Sequence, residues 1–186
     1  VATGFALQVV EPHLNGPGGE VPLILCPNGE NPVVICGQGV APNSATLKTF
    51  SDMNLNIVPG SGLLPAVVPG AFDAWMLLLH NYGTMSLRTV LEPAISIATK
   101  GYPLVPNIIN TIKSVEELFK TEWTSSAEIY LPKGVLPSIG DFFTNRNMAK
   151  TYLRIIDEAE NKSKDREEQI KHARLIWSQG FVAQEI

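Results

Sequence analysis

The stretch that most restricts the fold is VPLILCPNGENPVVICGQG, residues 21 to 39. Two short runs of β-branched and large apolar residues flank Asn28-Gly29, a dipeptide suited to a tight hairpin turn. Both runs read as buried strands, and pairing them about that turn sets Cys36 opposite residues 21 to 23. Cys26 and Cys36, the only cysteines of the chain, are then too far apart to bond. They are expected as two small buried apolar residues.

The hairpin is entered from EPHLNGPGGE, residues 11 to 20. Glycine-rich loops of this kind can cradle phosphate, but such loops lead from a strand into a helix and carry a lysine. This one leads into a strand and has no lysine nearby, so a nucleotide role is set aside. Ahead of it, VATGFALQVV reads as helix. Behind the hairpin, LLPAVVPG is extended, and its prolines confine it to an edge or to irregular chain.

From Gly70 onward the apolar spacing is helical. Phe72, Trp75 or Met76, and Leu79 mark one face of a helix that Gly83 terminates. Ser86 can cap a short helix, and Pro93 is expected to start another at its first turn. Ala94, Ile97 and Ala98 face inward there, and Gly101 stops it. Ile108, Ile112, Val115 and Phe119 follow one amphipathic period, and Met148, Tyr152, Ile155 and Ile156 another. The mixed-charge run ENKSKDREEQIKHA is a solvated loop and the outer face of a helix with Ile170, Ala173 and Trp177 inside. The class is therefore α+β. Residues 1–69 give the loop, hairpin and extended segment, and residues 70–186 the helical region.

A net charge of −4 without a basic cluster argues against nucleic acid as partner. No apolar run approaches the ~20 residues that span a bilayer; Ala71 to Leu79 is short and contains Asp73. No leader pattern of a basic segment ahead of an apolar one is visible. The chain opens inside an apolar run without Met and closes in SQGFVAQEI, a helix just begun that Ser178 could cap. It is expected to be a piece of something larger.

Candidate chemistry is sparse. His13, His80 and His172 share no metal-ligand spacing. His80 reads as structural and His172 as solvated, while His13, inside the glycine-rich loop, is a candidate for function. There is no Gly-x-Ser-x-Gly elbow, Ser61 has no evident base, and Asp52, Asp73 and Asp141 form no local acid–base pair. The chain holds no complete catalytic apparatus and calls for no cofactor.

Three segments in order carry a resemblance. VVEPHLNGPGGEVPLILCPNGENPVVICGQGVAPNSAT resembles the glycine-rich hairpin unit of gamma-glutamyltranspeptidases, with its Ala-Pro-x-x-Ala-Thr element at Ala41, Pro42, Ala45 and Thr46. VPGAFDAWMLLLHNYGTMSLRTVLEPAISIATKGYPL is similar to the family's Pro-Gly helix, Tyr-Gly stop, Pro-Ala helix and Gly-Tyr-Pro ending. NMAKTYLRIIDEAE and IWSQGFVAQEI resemble its later large-subunit helices. The resemblance implies a four-layer αββα sandwich of the N-terminal nucleophile hydrolases. It further implies a precursor that cleaves itself into two subunits, the Thr nucleophile heading the small one with its own α-amine as base. That Thr motif does not occur here, and TSSAE at 124 to 128 is no substitute. The chain would be a large-subunit portion, inert alone, pairing with the small subunit to act on a small acyl-amide substrate.

The departures concern specificity. Where transpeptidases present an Arg-Glu pair, the Arg holding the substrate α-carboxylate, this chain has Gln38 and Gly39. A neutral amide cannot reproduce that bidentate charged grip. Where the family runs to four glycines, Glu20 adds a carboxylate. With His13, these residues are the expected substrate-binding positions. They favour an acylase related to those acting on cephalosporins over a true transpeptidase; a non-catalytic scaffold module is the other reading.

Overall fold

The computed structural model describes all 186 residues. Helix α1 (Ala2–Val10) leads through the glycine-rich loop into β1 (Val21–Leu25) and β2 (Val33–Gly37). The strands pair antiparallel with Val21 opposite Gly37 and Pro22 opposite Cys36. Gly29 takes a positive φ of 80° at the turn. Cys36 therefore faces Pro22, and both thiols are free. Their expected burial is corrected: both are exposed. So is the expectation of two buried strands. Only the Leu23 and Ile35 face meets protein, while Ile24 and Val34 on the other face are 79% and 66% exposed. A two-stranded hairpin alternates its side chains between faces, and here one face is covered.

A short helix not expected from sequence, α2 (Leu47–Asp52), follows the Ala-Pro element; Thr46 caps it by accepting from the Thr49 N–H at 3.1 Å. Residues 63–70 form no strand, consistent with their prolines. They are tied back by the Val68 N–H, which donates to Val40 O at 2.9 Å.

Helix α3 (Ala71–Tyr82) buries Phe72, Met76 and Leu79 and ends at Gly83 as expected, with Trp75 half-buried. Arg166 secures that end: its guanidinium donates to Leu79 O and Gly83 O, both at 2.7 Å, and to Met85 O at 2.9 Å. Helix α4 (Leu87–Lys100) begins at the Ser86 cap but runs unbroken through Pro93. The expected restart at Pro93 is thus corrected. Pro93 lies on the exposed side, while Leu87, Val90, Leu91, Ala94 and Ala98 are buried on the other. Packing of that face against α1 outweighs the missing N–H. Ile97 is only half-buried, and Gly101 closes the helix with φ of 93°.

The single helix expected through Phe119 is two: α5 (Pro106–Ser114) and α6 (Glu116–Thr121), broken at Val115 with ψ of 10°. Helix α7 (Thr124–Tyr130) and a two-residue pairing of β3 (Tyr102–Pro103) with β4 (Phe142–Phe143) complete this region. Helix α8 (Arg146–Lys162) buries Tyr152, Ile155 and Ile156, and α9 (Arg166–Gln179) buries Ile170, Ala173 and Trp177, as the periodicity requires. Ser178 does not cap the last helix, α10 (Phe181–Glu185); it lies inside α9 and donates to Arg174 O at 2.9 Å, while Gly180 starts α10.

The core lies among α1, α3, α4, α8 and α9. Phe5 meets Phe72 and Tyr152 edge-on, and Phe72 stacks on Trp177 with ring centres 4.4 Å apart. Asp73 and Arg174 join α3 to α9 through two hydrogen bonds of 2.6 and 2.9 Å. The result is mostly helical, with two small antiparallel sheets, an α+β arrangement. No helix is long and apolar enough to cross a membrane.

Candidate functional site

The glycine-rich loop is held from within by Asn15. Its Oδ1 accepts from the Gly16 N–H at 2.8 Å and its Nδ2 donates to Glu20 O at 2.7 Å. A Cβ at Gly19 would strike Asn15 Oδ1, whereas Gly16 and Gly18 face open space. The carbonyl of Gly19 accepts from both the Gly70 and Ala71 N–H groups, at 3.2 and 3.0 Å. It thereby caps the first turn of α3. The loop thus presents an acceptor to a helix start, the reverse of a phosphate cradle, and couples α1, the hairpin and α3.

Three further glycines let backbones cross at this junction. A Cβ on Gly37 would lie 2.6 Å from Ala74 Cβ, one on Gly70 2.5 Å from Gly37 O, and one on Gly39 would overlap Val68 O. Side chains cannot enter such contacts. The spacing in CGQG and VPG could have signalled this crossing, since glycines repeated at a strand end mark close backbone approach.

Glu20 and Gln38 meet at that crossing. The Glu20 carboxylate accepts from the Gly39 N–H at 3.2 Å, and the Gln38 side chain carries an Oε1 contacted by the Cys36 thiol at 3.6 Å. Both side chains are exposed at the end of β2. The pair offers a neutral amide beside a carboxylate, which can orient a polar ligand and repels an anionic one.

His13 stands apart and shares no hydrogen bond with either. Its side chain is 8% exposed, with Nδ1 3.5 Å from Glu11 Oε2. It lines a cavity of about 240 Å³ with Ile108, Ile112, Phe119, Trp123 and Tyr130. Burial pushes the Tyr130 hydroxyl above its ordinary pKa. This cavity was not legible beforehand, because it depends on α5 to α7 closing over the loop. His80 sits in the last turn of α3 against Asn81, Nδ1 to Oδ1 2.7 Å, and His172 is half-buried rather than fully solvated. No three His, Cys, Asp or Glu side chains gather as a metal site. No hydroxyl or thiol is hydrogen-bonded to a His, Asp or Glu side chain in this region.

Solved structures share this fold closely. LmbA2991HD superposes with a TM-score of 0.95 at 50% identity, covering 98% of this chain and 31% of that one. A cephalosporin acylase from Bacillus halodurans gives 0.81 at 28% identity, covering 99% of this chain and 33% of that one. The fold is that of the N-terminal nucleophile hydrolases, in their α+β class. A family model described as Gamma-glutamyltranspeptidase matches residues 1–185, and the chain belongs to that family of enzymes. Among curated relatives, the glutathione hydrolase proenzyme of Bacillus subtilis (strain 168) is 31% identical over 160 residues, 83% of this chain and 27% of the relative. The chain spans about a third or less of the length of these relatives.

Proposed function

We propose that the chain is the large-subunit portion of a self-processing amidohydrolase. A Thr at the head of a small subunit attacks the amide carbonyl, its α-amine taking the proton, and the acyl group passes to water or another acceptor. This chain supplies scaffold and part of the acyl pocket. Gln38 and Glu20 face the acyl group's polar end, with His13 beneath the loop as a supporting position.

The observation that carries this reading is the Glu20 carboxylate on the Gly39 N–H beside Gln38. It sets an amide and a carboxylate where the family resemblance calls for an arginine and a glycine. A hydrogen bond to a charged partner contributes about 1.5–3 kcal/mol against about 1 for a neutral one, and 1.4 kcal/mol is roughly tenfold in rate. Against a site that carries the arginine, a γ-glutamyl group therefore loses about 0.5–2 kcal/mol, roughly 2- to 30-fold in kcat/KM. That favours an acylase over a transpeptidase.

The test is kinetic, on the intact gene product. γ-Glutamyl, glutaryl and uncharged acyl anilides are compared, the uncharged one because glutaryl retains a terminal carboxylate. The expected order puts γ-glutamyl last, and strong γ-glutamyl transfer refutes the acylase assignment. Mass spectrometry of the same preparation is expected to give two chains; one uncleaved chain defeats self-processing.

A further inference from the structure

The Glu20 carboxylate is exposed and accepts one hydrogen bond, from the Gly39 N–H at 3.2 Å. Immobilising a glutamate side chain costs about as much rotamer freedom as one such bond returns. That contact alone does not hold the carboxylate beside Gln38. The direction in which the main chain aims the side chain therefore decides where the charge resides. On one side of Glu20 the main chain is fixed by Gly19 O, which accepts from the Gly70 and Ala71 N–H groups. On the other it is fixed by Asn15, whose Nδ2 donates to Glu20 O at 2.7 Å.

Asn15 spans the neck of the loop. Its Oδ1 accepts from the Gly16 N–H at 2.8 Å, so both ends of the amide are engaged, one at each side of the neck. Gly19 leaves the room for it, since a Cβ there would overlap Asn15 Oδ1. We propose that Asn15 is a positioning residue for acyl specificity: by holding Glu20 O, it aims the Glu20 carboxylate at the Gly39 N–H, beside Gln38, where that charge excludes anionic acyl groups. The inference rests on the reading that Gln38 and Glu20 face the acyl group. Solvent screens exposed charges over about 8 Å at physiological salt. A carboxylate released to swing away from Gly39 therefore stops discriminating against an anion at Gln38.

The test is the ratio of kcat/KM for an uncharged acyl anilide to that for the glutaryl anilide, on the intact gene product. Both substrates are assayed on one preparation, so a smaller folded fraction cancels from the ratio. Asn15→Ala is expected to lower the ratio by roughly two- to tenfold, the weight of one neutral hydrogen bond. Asn15→Ser keeps an acceptor for the Gly16 N–H but is too short to reach Glu20 O, and is expected to give the same fall. Glu20→Gln, which keeps an acceptor for the Gly39 N–H and removes the charge, is expected to lower the ratio by itself. In that background Asn15→Ala should change it no further. A ratio that is unchanged or raised by both Asn15 substitutions overturns the proposal. So does an equal fall in both backgrounds, which a merely structural role would give. If Glu20→Gln itself leaves the ratio unchanged, the placement of Glu20 against the acyl group fails, and the role of Asn15 fails with it.

Discussion

Replacing Gly39 by alanine tests the junction on which the candidate site is built. A Cβ at residue 39 would overlap Val68 O and come within 2.8 Å of Val67 Cγ2. The φ of Gly39 is not positive, so alanine meets no conformational penalty and the cost is steric alone. The obstructing carbonyl cannot turn aside cheaply. The N–H of Val68 is bonded to Val40 O at 2.9 Å, and the next two N–H groups, those of Gly70 and Ala71 beyond Pro69, are held by Gly19 O. Relief requires residues 66–70 to separate from the end of β2, weakening one or two backbone hydrogen bonds of about 0.5–1.5 kcal/mol each. Overpacking adds about 1–3 kcal/mol, and the stiffer unfolded chain returns about 0.4–1. The net expectation is a loss of about 2 kcal/mol, read as a lower denaturant midpoint of the intact gene product at unchanged slope. Gly18→Ala is the control from the same neighbourhood. Its Cβ enters open space with no positive φ, and it is expected within about 0.5 kcal/mol of the parent. Gly39→Ala should also cost activity, because it displaces the N–H that holds Glu20. Equal midpoints for the two variants would refute the backbone-crossing account.

Two other substitutions follow from the fold. Arg166→Ala leaves the carbonyls of Leu79, Gly83 and Met85 without their shared donor; a loss of about 2 kcal/mol is expected in the same denaturation assay, with Arg166→Lys recovering only part because one ammonium cannot match the fork. Pro93→Ala restores a backbone N–H inside α4 on its exposed side. It is expected to stabilise by about 2 kcal/mol, the ~3 kcal/mol helix penalty of proline less the about 0.4–1 that its stiffness gives back; a destabilised variant would show that Pro93 makes a contact in the intact protein.

What the sequence made legible were features set by short-range rules. The Asn28-Gly29 turn sets Cys36 opposite residues 21 to 23, within which the register selects Pro22, and the 3.6-residue period fixes Ile170, Ala173 and Trp177 as the inner face of α9. The misses depend on distant chain. Pro93 lies within a helix because α4 packs elsewhere, the exposure of Cys26 and Cys36 depends on what covers the outer hairpin face, and the break at Val115 leaves the apolar period almost unchanged. The two-residue β3–β4 pairing has too few positions to show a period at all. His13 was singled out from its loop, yet its partners come from α5 to α7. The candidate site falls between these cases. The register that pairs Val21 with Gly37, continued by one residue, sets Glu20 across from Gln38, and the bond from the Gly39 N–H to the Glu20 carboxylate agrees with that continuation. The two departures from the transpeptidase pattern are therefore cross-strand neighbours. An arginine restored at position 38 would meet Glu20 before it met a substrate carboxylate, so Gln38→Arg alone would be partly neutralised. The residues act as a unit, and their effects on acyl preference should be non-additive.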